Sequence, residues 1–435
     1  MEAEIISVSN DLLHGTVRDQ NVAFLAKELS TLGFEINQSR MVKKENERLY
    51  SAIEQADKQS DIVVLVGGLG PNEDDITKQT LSEYVDIPLV LDQITENEII
   101  TYHKNSDLTM PDNNQLQALV IQNSTPVRNV TGLAVGMFFK HKETTYILLP
   151  GPSDELQPTY FENLKPLLVA ELLSEDQLAT EYLRLFGISE AALNDRLKDY
   201  IQYETSPFVG VYNDGEEFEV QITARSGNKD EAEEEAMALK EDILKRVSDY
   251  VYAEESIALV KTVKDLLDDN DLTITAAESL TGGEFLSAFS SMTEASTVLE
   301  GGIVTYSTEV KNDVLGVSKE ITDEFGVVSP QCAIDMAEKV QDMFESDVAI
   351  SLTGVAGPSS LEGEIPGTVW IGIAKEGMES FAKEFHFAYK RNRNRNLSVL
   401  SAMDLVRRVI LKEDIDGAVL MDEEKHDKIE SEEMQ

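Results

Sequence analysis

The chain has 435 residues, 42% of them hydrophobic, which suits two or three separately cored domains better than one. It carries 81 acidic residues against 37 basic ones, and a formal net charge of −44 excludes non-specific attraction to a phosphate backbone over most of the surface. The single cysteine, Cys332, excludes an intramolecular disulfide and a cysteine-based metal cluster.

The opening MEAEIISVSNDLL lacks the basic-then-apolar order of a secretory leader, and no apolar run reaches membrane length. A soluble cytoplasmic protein is expected, with no membrane partner and no direct nucleic-acid partner. The first elements alternate. EIISV (4–8) reads as a buried strand, and NVAFLAKELSTLGF (21–34) has helical spacing with Gly33 at its stop. DIVVLV (61–66) is a β-branched strand entering GGLGP, and TYILLPGP (145–152) is another strand with a Pro-Gly turn. This order predicts an α/β domain with a mostly parallel sheet over 1–164.

A small α+β linking module follows over 165–254. EYLRLFGI (181–188) reads as a strand, SEAALNDRLKDYI (189–201) as a helix with a Ser cap, and FEVQITARSG (218–227) as an edge or half-buried strand. KDEAEEEAMALKEDILKRV (229–247) is a charged amphipathic helix with a solvated face. The third unit, 255–413, opens with a helix over 262–271. LTITAA (272–277), GGIVTYS (301–307), DVAISLTG (347–354) and GTVWIGIAK (367–375) are its strands, with helices over 329–344 and 396–411. Residues 414–435 read as an acidic, disordered tail. The predicted fold class is α/β: two α/β sandwich domains with open sheets, joined by the small α+β module.

AAESLTGG (276–283) places a hydroxyl between a buried strand and a glycine pair. Two readings stand open. Ser279 or Thr281 caps the next helix, or Ser279 is a nucleophile beside helix N–H groups that suit an oxyanion or a phosphate. A serine nucleophile needs a base. The chain's five histidines lie outside this unit's motif loops, which leaves lysine with a lowered pKa as the base. Lys311, five residues after Tyr306, is the candidate, and an exposed helix is its plainer alternative. TGVAGP (353–358) and GTVW (367–370) add loops at strand ends that can converge on one cleft.

AESLTGG, GGIVTYSTEVK, GVVS, SLTGVAGP and GTVW, in that order, resemble the CinA C-terminal domain, the nicotinamide-nucleotide amidohydrolase family. The resemblance implies hydrolysis of the carboxamide of nicotinamide mononucleotide to ammonia and nicotinic acid mononucleotide, in pyridine-nucleotide salvage and without a metal. It implies Ser279 as nucleophile and Lys311 with Tyr306 as the proton-handling pair. Thr281, Gly282, Gly283, Thr353 and Gly354 would line the substrate and oxyanion pocket, and Ser296 is an alternative hydroxyl. Arg391 and Arg395, in YKRNRNRN (389–396), would be phosphate ligands.

In the first domain, GGLGPNEDD follows a strand without the lysine of a Walker loop. Its amides suit a phosphate or a pterin, and Asp74 and Asp75 suit a hard divalent ion or a helix cap. SNDLLHGTVRDQN (9–21), NNQLQALV (113–120), NVTGLAVG (129–136) and LPGPSDEL (149–156) resemble the molybdopterin-binding-like domain of CinA proteins. That resemblance implies a metal-dependent ADP-ribose pyrophosphatase. Asp11, Asp74 and Asp75, with Asp19 as a further candidate, would hold Mg, Mn or Co, and Gly67, Gly68 and Gly70 would hold the phosphates. The family also implies a homodimer. A partner-binding protein of competence or DNA damage, acting with a recombination or competence protein, is the alternative from another class, and a molybdopterin-handling protein is a third.

Overall fold

The computed structural model describes residues 1–106, 109–173, 177–201 and 206–415. The predicted acidic tail therefore lies almost entirely outside the described residues. The chain divides into two compact units, one of Met1–Thr180 with Thr223–Glu234, the other of Glu181–Ile222 with the chain from Glu235 onward.

The first unit carries a six-stranded sheet in the order Glu35–Val42, Glu2–Val8, Ile62–Val66, Thr144–Leu149, Gly136–His141, Thr125–Val127. The first four strands are parallel, and each of the last two is antiparallel to the strand before it. Every residue of Ile62–Val66 is buried, as expected of a central strand covered on both faces. The helix predicted at 21–34 spans Asn21–Thr31, and Gly33 in the left-handed region (φ +76°) ends that stretch.

A four-stranded sheet has the order Phe208–Asp214, Glu217–Ser226, Gln177–Phe186, Val251–Ala253. Glu217–Ser226, read from sequence as an edge or half-buried strand, is internal, and Phe218 to Ala224 are all buried. Its polar residues at alternate positions (Glu219, Gln221, Thr223), which suggest a solvated face, are buried as well. Ser189 caps helix Glu190–Leu197 by accepting from Ala192 N–H, as predicted.

The third sheet has the order Leu299–Val304, Ile274–Glu278, Val348–Gly354, Thr368–Lys375, Phe381–His386. Its first three strands are parallel, and each of the last two is antiparallel to the strand before it. One face packs on helices Leu259–Asp269 and Arg391–Leu411 through Leu259, Val263, Leu267, Leu397 and Val406. The other face packs on Pro330–Phe344 through Cys332, Met336 and Val340. Ser329 accepts from Cys332 N–H and caps that helix. The register aligns Glu278 with Val304 and with Leu352, so Ser279, Thr305 and Thr353 emerge together at the carboxyl end of the parallel strands.

Candidate functional sites

The turn after Ile274–Glu278 is fixed on both sides. Ser279 N–H donates to Leu352 O (2.9 Å), and Thr305 N–H donates to Glu278 O (2.7 Å). Gly282 N–H returns to Ser279 O at 3.1 Å, closing a tight turn. Gly282 and Gly283 have φ of +64° and +97°, a region in which an L side chain is strained. A Cβ at either glycine would make only ordinary contacts, so backbone conformation dictates glycine here.

Sequence reasoning expected the helix N–H groups to face a ligand. Instead the buried Glu278 carboxylate takes them: Gly283 (2.9 Å) and Phe285 (3.2 Å) donate to Oε2, and Leu286 (2.8 Å) donates to Oε1. Glu278 is therefore the cap, and Ser279 is released from that duty. The amides of Leu280 and Thr281 have no hydrogen-bond partner among the described residues. Their carbonyls accept from Arg395, Leu280 O from Nε at 3.0 Å and Thr281 O from a terminal nitrogen at 2.6 Å. In a trans peptide the N–H opposes the C=O, so the hold on Leu280 O turns the Thr281 N–H away from Arg395. The Thr281 hydroxyl is buried and unpartnered. A buried donor set without partners is what an incoming oxyanion satisfies.

Lys311 lies in Val310–Leu315, a wide turn with π-type bonding, and is only 1% exposed. Its Nζ donates to Ser279 Oγ at 3.0 Å and to Thr305 O at 2.8 Å. Ser279 itself is 8% exposed. Burial pulls the Lys311 pKa below the ordinary lysine value, against smaller opposing pulls from Cys332 and Glu362. An ammonium with no carboxylate hydrogen-bonded to it is costly at such a place, so burial shifts the balance toward the neutral amine.

The other predicted residues divide. Tyr306 is 62% exposed, and its hydroxyl accepts from Arg391 at 3.0 Å rather than meeting Lys311 or Ser279. Arg391 also donates to Gly357 O at 2.8 Å, so it joins the exposed Tyr306 to the Gly357 loop. Arg395, expected as a phosphate ligand, spends its guanidinium on the two turn carbonyls and on Glu284 at 3.3 Å. The Thr353 hydroxyl is buried and donates to Val327 O at 2.6 Å, which makes it a structural tie. Gly354 is required by close strand pairing, since a Cβ there would stand 2.5 Å from Thr368 O. Ser296 is exposed in Ala295–Thr297, which leads into Leu299. Leu299 pairs with Ile274, so Ser296 lies at the opposite end of the strands from Ser279. Sequence reasoning missed Glu278 and Thr305. The signal for Glu278 was present: an acidic residue closing an apolar strand must find donors.

In the first unit, a cleft of about 860 Å³ is lined by Asp11, Asp19, Lys44, Gly67, Gly68, Gly70 and Asp75, among others. Gly67 and Gly68 are in the left-handed region (φ +91° and +67°), and a Cβ on Gly68 would meet Thr77 Oγ1 at 2.3 Å. The Thr77 hydroxyl donates to Gly67 O at 2.7 Å and fixes the turn. The acidic candidates are not gathered as metal ligands. Asp75 accepts from Lys44 Nζ on Oδ1 (2.7 Å) and from Asn72 N–H on Oδ2 (3.0 Å). Asp74 faces the same ammonium at 3.4 Å. Asp19 caps the helix at Asn21 and Val22 (3.1 and 3.0 Å) and accepts from the Ser7 hydroxyl at 2.6 Å. Asp11 is exposed. Among the described residues, no group of three or more His, Cys, Asp or Glu side chains is arranged to hold a metal ion. The residues present do not fit the divalent ion that the resemblance implies. No helix among the described residues is long and apolar enough to cross a membrane.

Comparison with known proteins matches three successive segments of the chain. Residues 256–410 match the family profile "CinA C-terminal domain", 4–170 match "Probable molybdopterin binding domain", and 180–253 match "Damage-inducible protein CinA KH domain". A relative from Listeria innocua that carries the competence-damage inducible name is 40% identical over 94% of this chain and 98% of its own. One of the same name from Bacillus subtilis is 39% identical over 90% of this chain and 94% of its own. A crystal structure of a CinA superfamily protein from Klebsiella pneumoniae is 28% identical, with a TM-score of 0.35, covering 35% of this chain and 96% of that one. The chain belongs to the CinA family of competence/damage-inducible proteins.

Proposed function

We propose that the C-terminal domain hydrolyses the carboxamide of nicotinamide mononucleotide, with Ser279 as nucleophile and Lys311 as its base. The observation that carries this reading is the 3.0 Å contact between Lys311 Nζ and Ser279 Oγ. A neutral lysine amine can accept the hydroxyl proton, and Thr305 O holds its remaining N–H in place.

Oγ attacks the amide carbon as its proton passes to Nζ. The carbonyl oxygen becomes an oxyanion, for which the free amides of Leu280 and Thr281 are donors. The C–N bond breaks, Lys311 returns the proton to the leaving nitrogen, and ammonia departs. Water then adds to the ester, again giving its proton to Lys311. The acid is released and the Ser279 hydroxyl is restored. Tyr306 and Arg391, paired with each other, contribute to substrate binding in this scheme rather than to proton transfer. Ammonia release from nicotinamide mononucleotide in the presence of EDTA tests the reading, and loss of that release in Ser279→Ala is the required control.

The size of the first unit's cleft and its glycine turn favour a second binding event there, of a nucleotide such as ADP-ribose. Titration of ADP-ribose into full-length protein by calorimetry, with Gly68→Val as the blocked control, tests it.

A further inference from the structure

We infer that Lys44 is the resident cation of the first unit's cleft, occupying the place between Asp74 and Asp75 where a divalent ion would otherwise sit, so that this domain binds its ligand without a metal there. The inference rests on the geometry of this cleft and is independent of the amide chemistry proposed for Ser279.

Three observations carry it. Lys44 Nζ lies 2.7 Å from Asp75 Oδ1 and 3.4 Å from Asp74 Oδ2, so one ammonium answers both carboxylates. The second Asp75 oxygen accepts from Asn72 N–H, so both oxygens of that side chain already have a donor. Asp19 has both oxygens occupied by the Ser7 hydroxyl and by two helix amides, and Asp11, the remaining candidate ligand lining the cleft, is exposed.

Charge arithmetic then decides. A hard divalent ion needs oxygen contacts of roughly 2.0–2.6 Å and several of them. Placed on Asp75 Oδ1 it would crowd the ammonium that already lies 2.7 Å from the same oxygen, setting two like charges against each other. Lys44 would have to swing out, leaving its own charge without the two carboxylates. The reverse arrangement is already satisfied. The sequence offers no local cue, because Lys44 lies 31 residues before Asp75 and arrives at the end of a different strand.

The test uses manganous ion alone, titrated into the full-length protein in high salt and followed by the electron-spin signal of free Mn²⁺. High salt suppresses loose binding to this acidic surface. Wild type and Asp75→Asn are expected to give superimposable curves, because nothing binds at Asp75 in either. Lys44→Asp, which replaces the ammonium with a third carboxylate, is expected to bind one further equivalent. Lys44→Ser serves if that variant does not fold, and a thermal melt of each variant checks folding. A wild-type curve showing one equivalent that Asp75→Asn lacks overturns the inference. So does a folded Lys44→Asp that gains no site, because the place would then not be one a cation can take.

Discussion

Lys311 Nζ meets Ser279 Oγ at 3.0 Å across 32 residues of sequence, and the contact is buried. Two parallel strands create it. Glu278 and Val304 are register partners, so the turn after one strand and the loop after the other leave the sheet at the same level. The expected outcome of cutting the contact is loss of function without loss of fold. Ser279→Ala and Lys311→Met should each lower amide hydrolysis by roughly 10³-fold or more, while circular dichroism is unchanged. Their combination should cost little beyond either alone, since they act as one unit.

The rate should rise with pH. Only the neutral form of Lys311 can take the serine proton, and burial lowers the pKa from its ordinary value of 10.5. The ascending limb of a kcat profile should therefore have its midpoint below that value. The same shift acts on stability. The unfolded chain binds the lysine proton more tightly than the folded one, so Lys311 adds stability as pH rises through the window between the folded and unfolded pKa and removes it as pH falls. Lys311→Met should flatten that component, as read from urea unfolding at several pH values.

Lys78 gives a cleaner version of the linkage. It is buried beside the carbonyls of Gln117 (2.8 Å) and Leu116 (3.5 Å), and burial lowers its pKa from 10.5 to about 7. Unfolding of the first unit should show stability rising with pH between about 7 and 10.5, at up to about 1.4 kcal/mol per pH unit from this one group. The difference between wild type and Lys78→Met, measured across that range, isolates it.

Arg395 and Arg391 should separate kinetically. Arg395 holds the carbonyls of Leu280 and Thr281, so Arg395→Ala should loosen the turn and lower kcat by roughly tenfold to a hundredfold. Arg391 is bonded to the exposed Tyr306, so Arg391→Ala should raise KM and leave kcat nearly unchanged. Steady-state kinetics on the two variants distinguishes these outcomes.

Glu278 accepts three backbone N–H groups from a fully buried position. A glutamine has one acceptor oxygen and turns N–H groups toward other N–H groups. Glu278→Gln should destabilise the domain by roughly 2–4 kcal/mol, and denaturant unfolding reads this directly.

What the sequence disclosed, and what it withheld, follows from the range of each interaction. Strand and helix periodicity located the elements around Ser279, and the glycine pair pointed to its turn. Both signals are local. The Lys311 pairing was proposed from motif order, because periodicity cannot tell a buried lysine from one on an exposed helix. Arg395 was read as a phosphate ligand because its charge is visible in sequence and its carbonyl partners, 115 and 114 residues away, are not. The family resemblance pairs Tyr306 with Lys311. The chain turns between them, so one side chain is exposed and the other lies under the turn. Asp74 and Asp75 looked like metal ligands because their competitor, Lys44, enters from a distant strand end.

Ammonia release from nicotinamide mononucleotide, in EDTA, by wild type, Ser279→Ala and Lys311→Met, is the most direct measurement of the central claim. The account predicts steady release by wild type and near-complete loss in both variants. A folded wild type that releases no ammonia, or a Lys311→Met protein that keeps the wild-type rate, would contradict it.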